Sequence, residues 1–232
     1  MKAKILMAAC SVSLAINAHG ASIMDRLYLI GDIGPNFVQK VGFERIAGVN
    51  TAGFFAEVDP GIRGTVGVGY AFLPELSAEL EGGFSYNETK TYSAIAGGVP
   101  LNGSIQFWVV PVTVGLTWRP TIPPPPPASD TEVQYGQRFF QLARPYIGGG
   151  VGAAEVFGDN NSPAQTTNPV SGTGRDTVLA YYAKAGITFP LNDWAEIGVQ
   201  YRFHGNPGFT IKDTKAEEIY AHAVSLAVRI RF

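Results

Sequence analysis

The sequence predicts an all-β chain folded as an eight-stranded antiparallel up-and-down transmembrane β-barrel. Three observations carry that expectation: an apolar alternation reaching the last residue, an export signal at the first, and eight strand-length segments between them. From Tyr220 to Phe232 the bulky residues Tyr220, Val224, Leu226, Val228, Ile230 and Phe232 fall on one phase of a two-residue period. On the other phase stand Ala221, Ala223, Ser225, Ala227, Arg229 and Arg231. Successive side chains of a strand point to opposite faces, so one face is greasy and the other small or cationic. A soluble sheet turns the greasy face inward, whereas a transmembrane barrel turns it outward around a polar lumen. Alternation alone does not choose between them.

The N-terminus makes the choice. Lys2 and Lys4 precede an apolar run from Ile5 to Ile16, followed by the small and polar residues Asn17, Ala18, His19, Gly20 and Ala21, the layout of a secretory signal. The run is too short for the ~20 residues that a spanning helix needs. Residues 1–20 therefore read as a signal peptide, with cleavage after Ala18 or Gly20, and residues 21–232 as the barrel domain. Cys10 follows Met-Ala-Ala with few apolar residues before it, which makes a poor lipoprotein site. Losing the signal also removes the one cysteine, so no disulfide forms in an oxidising compartment. The 17 basic and 19 acidic residues become 15 and 19 without Lys2 and Lys4, a net charge of −4. Nucleic-acid binding lacks the basic footprint it requires. No later stretch has the 18 consecutive apolar residues of a helical span. An aromatic content of 12% with 28 glycines suits many crowded strands.

In chain order, the strand segments are 26–34, 61–72, 75–86, 104–118, 144–154, 177–189, 194–204 and 219–232. Leu73-Pro74 and Pro190–Asp193 are tight connections, 35–60, 87–103 and 155–176 are long, and 205–218 is intermediate. With both termini in the periplasm, short turns belong on that side and longer loops outside. The connection 119–143 breaks the pattern. Its five prolines, Pro123–Pro127, favour polyproline II and cannot pair as a strand. Neither half of the chain has enough strands to close alone, so 119–143 reads as a Pro-rich periplasmic insertion within one domain, a possible docking segment for a partner.

Phasing each strand by its bulky residues gives an outward set. It comprises Ile62, Val66, Val68, Tyr70 and Phe72; Leu76, Leu80, Phe84 and Tyr86; Trp108, Val110, Val112, Val114, Leu116 and Trp118; and Ile197, Val199, Tyr201 and Phe203. Trp108 and Trp118 are ten residues apart. That is about 33 Å of strand, which a tilt near 45° reduces to about 25 Å, the height of an apolar band between aromatic girdles. The opposite phase collects Arg63, Glu79, Glu81, Glu196, Arg202, Arg229 and Arg231, with Lys184 and Asp32 beside them. Measured from the loop between the last two strands, Glu196 is level with Arg229 and Arg231, and they are expected to pair. Buried charges persist only when paired, so a structural ion-pair network is expected to cross the lumen from Glu79 and Glu81 to the arginines. Gly67, Gly69, Gly83, Gly115 and Gly198 share this phase, glycines crowd at Gly148–Gly150 and Gly152, and they are expected to make room for those arginines and glutamates. An eight-stranded interior is just wide enough to be filled by side chains, so little conduction is expected.

The stretches DPGIRGTVGVGYAF (59–72), LSAELEGGFSY (76–86), ARPYIGGGVGAA (143–154), LAYYAKAGITFPLNDWAEIGVQYRF (179–203) and AHAVSLAVRIRF (221–232) resemble the small outer-membrane barrels that group opacity-type proteins with the barrel domain of outer-membrane protein A. The resemblance implies a barrel in the outer membrane of a Gram-negative-type bacterium, surrounded by outer-membrane lipids. It also implies insertion by the barrel assembly machinery, which reads a final strand such as Tyr220–Phe232, with Tyr220, Val228, Ile230 and Phe232 as the assembly signal. The Pro-rich insertion departs from the family pattern. No peptidoglycan-binding domain follows Phe232, so cell-wall anchoring is not implied.

Nucleophilic catalysis needs a nucleophile, a histidine and a carboxylate on one face. His222 and Ser225 are three apart and point to opposite sides of a strand, while His204 sits at the rim with no neighbouring Ser or Cys. Asp213, Glu217 and Glu218 lack a complete calcium-loop pattern. The reading is therefore no enzyme, no cofactor and no metal. A monomeric barrel is expected, with a structural or surface-interaction, adhesin-like role, and any ligand is expected at the polar loops, 158–176 foremost. The rival roles are a narrow channel for ions or small solutes and a lipid-modifying enzyme.

Overall fold

The computed structural model describes residues 23–46, 49–90, 92–96, 99–121, 142–161, 172–211 and 214–232. The expected signal peptide, Pro123–Pro127 and most of the insertion 119–143 lie outside the described residues. A one-turn helix α1 (Ile23–Arg26) precedes β1 (Leu27–Val38), β2 (Val41–Ile46), β3 (Val49–Ala56) and β4 (Gly61–Ala71). Next come β5 (Leu76–Glu88), β6 (Tyr92–Ala96), β7 (Val99–Trp118) and β8 (Arg144–Asn161). The last five are β9 (Gly172–Pro190), β10 (Ala195–Asn206), β11 (Thr210–Ile211), β12 (Thr214–Ala216) and β13 (Ile219–Arg231).

Eight of these form the wall in the order β5-β4-β1-β13-β10-β9-β8-β7, and a β5–β7 pairing closes the ring. Every pairing is antiparallel. Closure removes the edges that an open sheet would leave unpaired. At one end the connections are tight for local reasons. Leu73 and Leu76 exchange backbone hydrogen bonds of 3.1 and 3.3 Å across the β4–β5 turn. In the β9–β10 turn, the side-chain oxygen of Asn192 accepts from the backbone N–H groups of Trp194 (3.0 Å) and Ala195 (2.7 Å), the local bonding for which Asn is favoured in turns.

The opposite end differs from the sequence expectation. Residues 155–161 and 172–176, read as loop, are strand, because β8 and β9 stay paired out to Asn160 and Gly172. The connections 35–60 and 205–218 are not simple polar loops either. They supply a second antiparallel sheet, ordered β11-β12-β2-β3. Val41, Phe43, Ala56, Phe209, Ile211, Ala216 and Ile219 pack beneath it against Ile105 of β7 and Val156 of β8. The apolar core of this molecule therefore sits at the mouth away from the tight turns, while the barrel below has a polar interior. The contributing residues lie in two segments remote in sequence, so no local periodicity announces them. Ile211→Val removes one methylene from this cluster and is expected to weaken it by about 0.5–1.5 kcal/mol. The readout is faster hydrogen exchange in β2, β11 and β12, with exchange in β13 unchanged.

Candidate functional site

The lumen holds the largest concentration of buried charge. Period-two alternation delivers Glu79 and Glu81 from β5, Arg63 from β4, Asp32 from β1, Lys184 from β9 and Arg202 from β10 to one interior. Glu79 accepts from the hydroxyls of Tyr28 (2.8 Å) and Thr117 (2.6 Å) and from the Lys184 ammonium. Glu81 accepts from Lys184 Nζ (2.7 Å), Arg202 Nη1 (2.5 Å) and the Tyr182 hydroxyl (2.9 Å). Asp32 takes Arg63 Nη1 at 2.7 Å and the Thr65 hydroxyl. Three carboxylates thus face three cations, and the upper cluster is neutral.

A second cluster lies toward the tight turns. Glu196 is opposite Arg229 in the β10–β13 register. Its carboxylate is reached by Arg144 (2.6 Å), Arg119 (3.5 Å), Arg229 (4.0 Å) and Arg231, and it accepts from the Thr188 hydroxyl at 2.8 Å. One carboxylate meets four guanidiniums. The charges therefore form two groups, where the sequence suggested one crossing network. Glu79 pairs with Lys184 and no arginine, Glu81 with Arg202 and Lys184, and Arg229 and Arg231 belong to Glu196. Arg119 and Arg144 escaped the sequence reading although a signal existed, since the residue after outward-facing Trp118 continues the alternation inward.

The inner glycines make room for charged side chains, with a Cβ on Gly67 falling 3.2 Å from Glu81 and one on Gly148 3.1 Å from Lys184, and also for aromatic rings that the sequence reading did not foresee. A Cβ on Gly69 would lie 2.1 Å from the Tyr28 ring, and one on Gly115 would lie 2.3 Å from the Tyr182 hydroxyl. These tyrosines carry the cations on their faces: Arg229 lies 3.8 Å from the Tyr28 ring centre, Arg202 3.6 Å from Tyr182 and Arg119 4.4 Å from Tyr146. Cation–ring attraction strengthens when water is excluded. Assigning bulky residues outward hid all three tyrosines, because in a lumen the ring's polar tip and quadrupolar face matter more than its size. Two lumenal cavities lined by described residues have volumes of about 30 and 20 Å3, little more than the room of one water each.

The outer wall is apolar. Trp108 and Trp118 are 46% and 44% exposed on β7, and Val110, Val112, Val114 and Leu116 are exposed between them. Around Trp108 the rings of Phe84 and Tyr86 gather at 6.5 and 4.6 Å. At the turn end, Trp118 Nε1 donates to Glu75 at 3.4 Å, and the Thr121 backbone N–H donates to the same carboxylate at 2.9 Å. The Thr121 bond, first, and the tryptophan bond hold Glu75 below the usual carboxylate range. Val228 on β13 and Phe232 just beyond it are exposed, and Tyr220 stacks on Phe203 at 5.9 Å.

Neither histidine assembles a catalytic constellation among the described residues. His222 contacts the Tyr201 hydroxyl (2.6 Å) and the Gln39 amide (3.1 Å) on the outer wall. His204 has a buried Nδ1 without a partner, and the Ser225 hydroxyl likewise has none. Among the described residues no group of three or more His, Cys, Asp or Glu side chains is placed to hold a metal ion. Asp213 and most of 158–176 lie outside the described residues.

A closed eight-stranded ring with charge sealed inside and an apolar belt outside defines a transmembrane β-barrel. The family described as outer membrane protein beta-barrel domain matches residues 6–232, and the chain belongs to that family. Its place is the outer membrane of a Gram-negative-type bacterium, in contact with lipid. Comparison with curated proteins gives no match. Among solved structures, outer membrane protease OmpT from Escherichia coli shares 8% identity over 90% of this chain and 97% of its own, with a TM-score of 0.52. OprG from Pseudomonas aeruginosa shares 14% identity over 90% and 98%, with a TM-score of 0.51. Neisserial surface protein A shares 11% identity over 89% and 97%, with a TM-score of 0.50. At such identities the likeness concerns the fold alone.

Proposed function

We propose that this barrel is a plugged scaffold with a structural and surface-interaction role, in which the folded outer sheet carries any adhesin-like binding. The supporting observation is the filling of the interior among the described residues: ion pairs occupy the lumen, two cavities within it are only about 30 and 20 Å3, and an apolar-cored sheet packs over the outer mouth. Hydrated ions need a continuous wet path, and a filled eight-stranded lumen offers none. The outer sheet presents the exposed Phe55 on β3 and the exposed Lys215–Glu44 pair at 2.6 Å, a mixed polar and apolar face suited to recognition.

Pairing of β13 with β1 joins the last wall strand to the first, and this supports Tyr220–Phe232 as the segment read by the assembly machinery, with the barrel acting as a monomer. The deciding experiment is planar-bilayer recording of the refolded protein in symmetrical salt. Silence is expected, and steady single-channel steps would turn the reading toward a narrow channel. Binding is tested by displaying the protein on cells over protein and glycan arrays, with Phe55→Ser expected to reduce any retention.

A further inference from the structure

The cluster around Glu196 leaves charge unbalanced. Glu196 carries one negative charge against Arg119, Arg144, Arg229 and Arg231, an excess of three positive charges, while the upper cluster is neutral. Arg144 and Arg231 have side chains 45% and 37% exposed, so water at the mouth screens them. Arg119 and Arg229 are deeper, at 15% and 10%. Uncompensated charge in such a setting is strongly unfavourable.

Between the two clusters lies the cavity of about 20 Å3, and its wall includes Arg119, Gln200 and Arg229. Each of the three has a buried donor with no acceptor among the described residues: Arg119 Nε, Arg229 Nε and Gln200 Nε2. Gln200 is only 4% exposed, and its Oε1 already accepts from the Tyr146 hydroxyl at 2.9 Å, which turns the amide nitrogen away from that ring. The carboxylates on the same wall are engaged: Glu79 by Tyr28, Thr117 and Lys184, and Asp32 by Arg63 and Thr65. Every unsatisfied buried side-chain atom on this wall is therefore a donor. A water molecule would have to give its own hydrogens to oxygens of Asp32, Glu79, Tyr146 or Thr188 that are already hydrogen-bonded, whereas a monoatomic anion only accepts. The space admits a single small guest.

We propose that the cavity walled by Arg119, Gln200 and Arg229 is a binding site for a halide ion, with chloride the physiological occupant. The ion would complete three donors and offset one of the three excess charges, bracing the turn-side half of the lumen. The test compares thermal unfolding of the detergent-refolded protein in sodium chloride, sodium bromide and sodium isethionate at equal ionic strength, isethionate being too bulky for the cavity. Chloride and bromide are expected to raise the midpoint saturably, by roughly 2–4 °C for each 1 kcal/mol of linkage in a chain of this size. Gln200→Glu places a carboxylate beside the same two guanidiniums and is expected to abolish the halide dependence while keeping the compact unheated form. Crystals grown in bromide are expected to show an anomalous peak in the cavity. Equal midpoints for the wild-type chain in all three salts, or a cavity holding only water in the bromide crystals, would falsify the assignment. If Gln200→Glu does not fold, the wild-type salt series and the bromide crystals decide the matter.

Discussion

Replacing Glu81 with glutamine is expected to lower the unfolding free energy of the refolded barrel by about 3–5 kcal/mol, the usual cost of breaking a buried ion pair from one side. Glu81 is among the most deeply buried side chains, at 1% exposure, and it joins strands on opposite sides of the ring through Arg202 and Lys184. The substitution preserves shape and removes only the charge. Arg202 would then depend on Asp32 at 3.9 Å, and Lys184 on Glu79 alone. Adding Arg202→Met to the variant is expected to recover part of the loss, since a pair removed together leaves no orphaned ion. Urea unfolding in micelles, followed by tryptophan fluorescence, reads both quantities. A loss below about 1 kcal/mol would instead place these groups with exposed ion pairs, whose contributions are that small.

Val112→Arg is expected to destabilise the vesicle-inserted barrel by about 2–4 kcal/mol, the penalty for a cation on the lipid face near the bilayer midplane. Val112 faces outward, 57% exposed, and sits on β7 between the two tryptophans. The comparison residue is Leu73, exposed in the turn between β4 and β5, where the same substitution is expected to cost only about 0–1 kcal/mol. The depth dependence is the informative quantity. Equal penalties at Val112 and Leu73 would mean that the apolar belt does not lie in hydrocarbon.

The eight wall strands were legible because a barrel strand advertises itself locally. Trp108, Val110, Val112, Val114, Leu116 and Trp118 need only their own spacing to declare an outward face, and the N-terminal run, read as an export signal, points to the solvent that this face meets. The acidic residues of the interior were legible by the same rule in reverse. Partnership was legible between neighbouring strands, where Glu196 meets Arg229 and Arg231 as their spacing from the shared connection implies, but not across the ring. Lys184 meets Glu79 and Glu81 over about a hundred residues of chain, and that encounter depends on strand stagger around the ring, which no local window contains.

Three features belong to the tertiary structure alone. Tyr28, Tyr146 and Tyr182 turn inward because glycines such as Gly69 and Gly115 on neighbouring strands leave room for their rings and guanidiniums lie over them. Phe43 and Ile211 form one core only after two distant connections fold over the same mouth. The charge excess around Glu196 arises when four arginines from three separate places in the chain converge on one carboxylate. By itself, then, the sequence determined the fold class, the membrane-facing surface and the acidic side of the lumen, since each is written in neighbouring residues. The pairing of charges across the ring, the outer cap and the donor-lined cavity were decided by ring closure, which sets distances between residues that the linear chain keeps far apart.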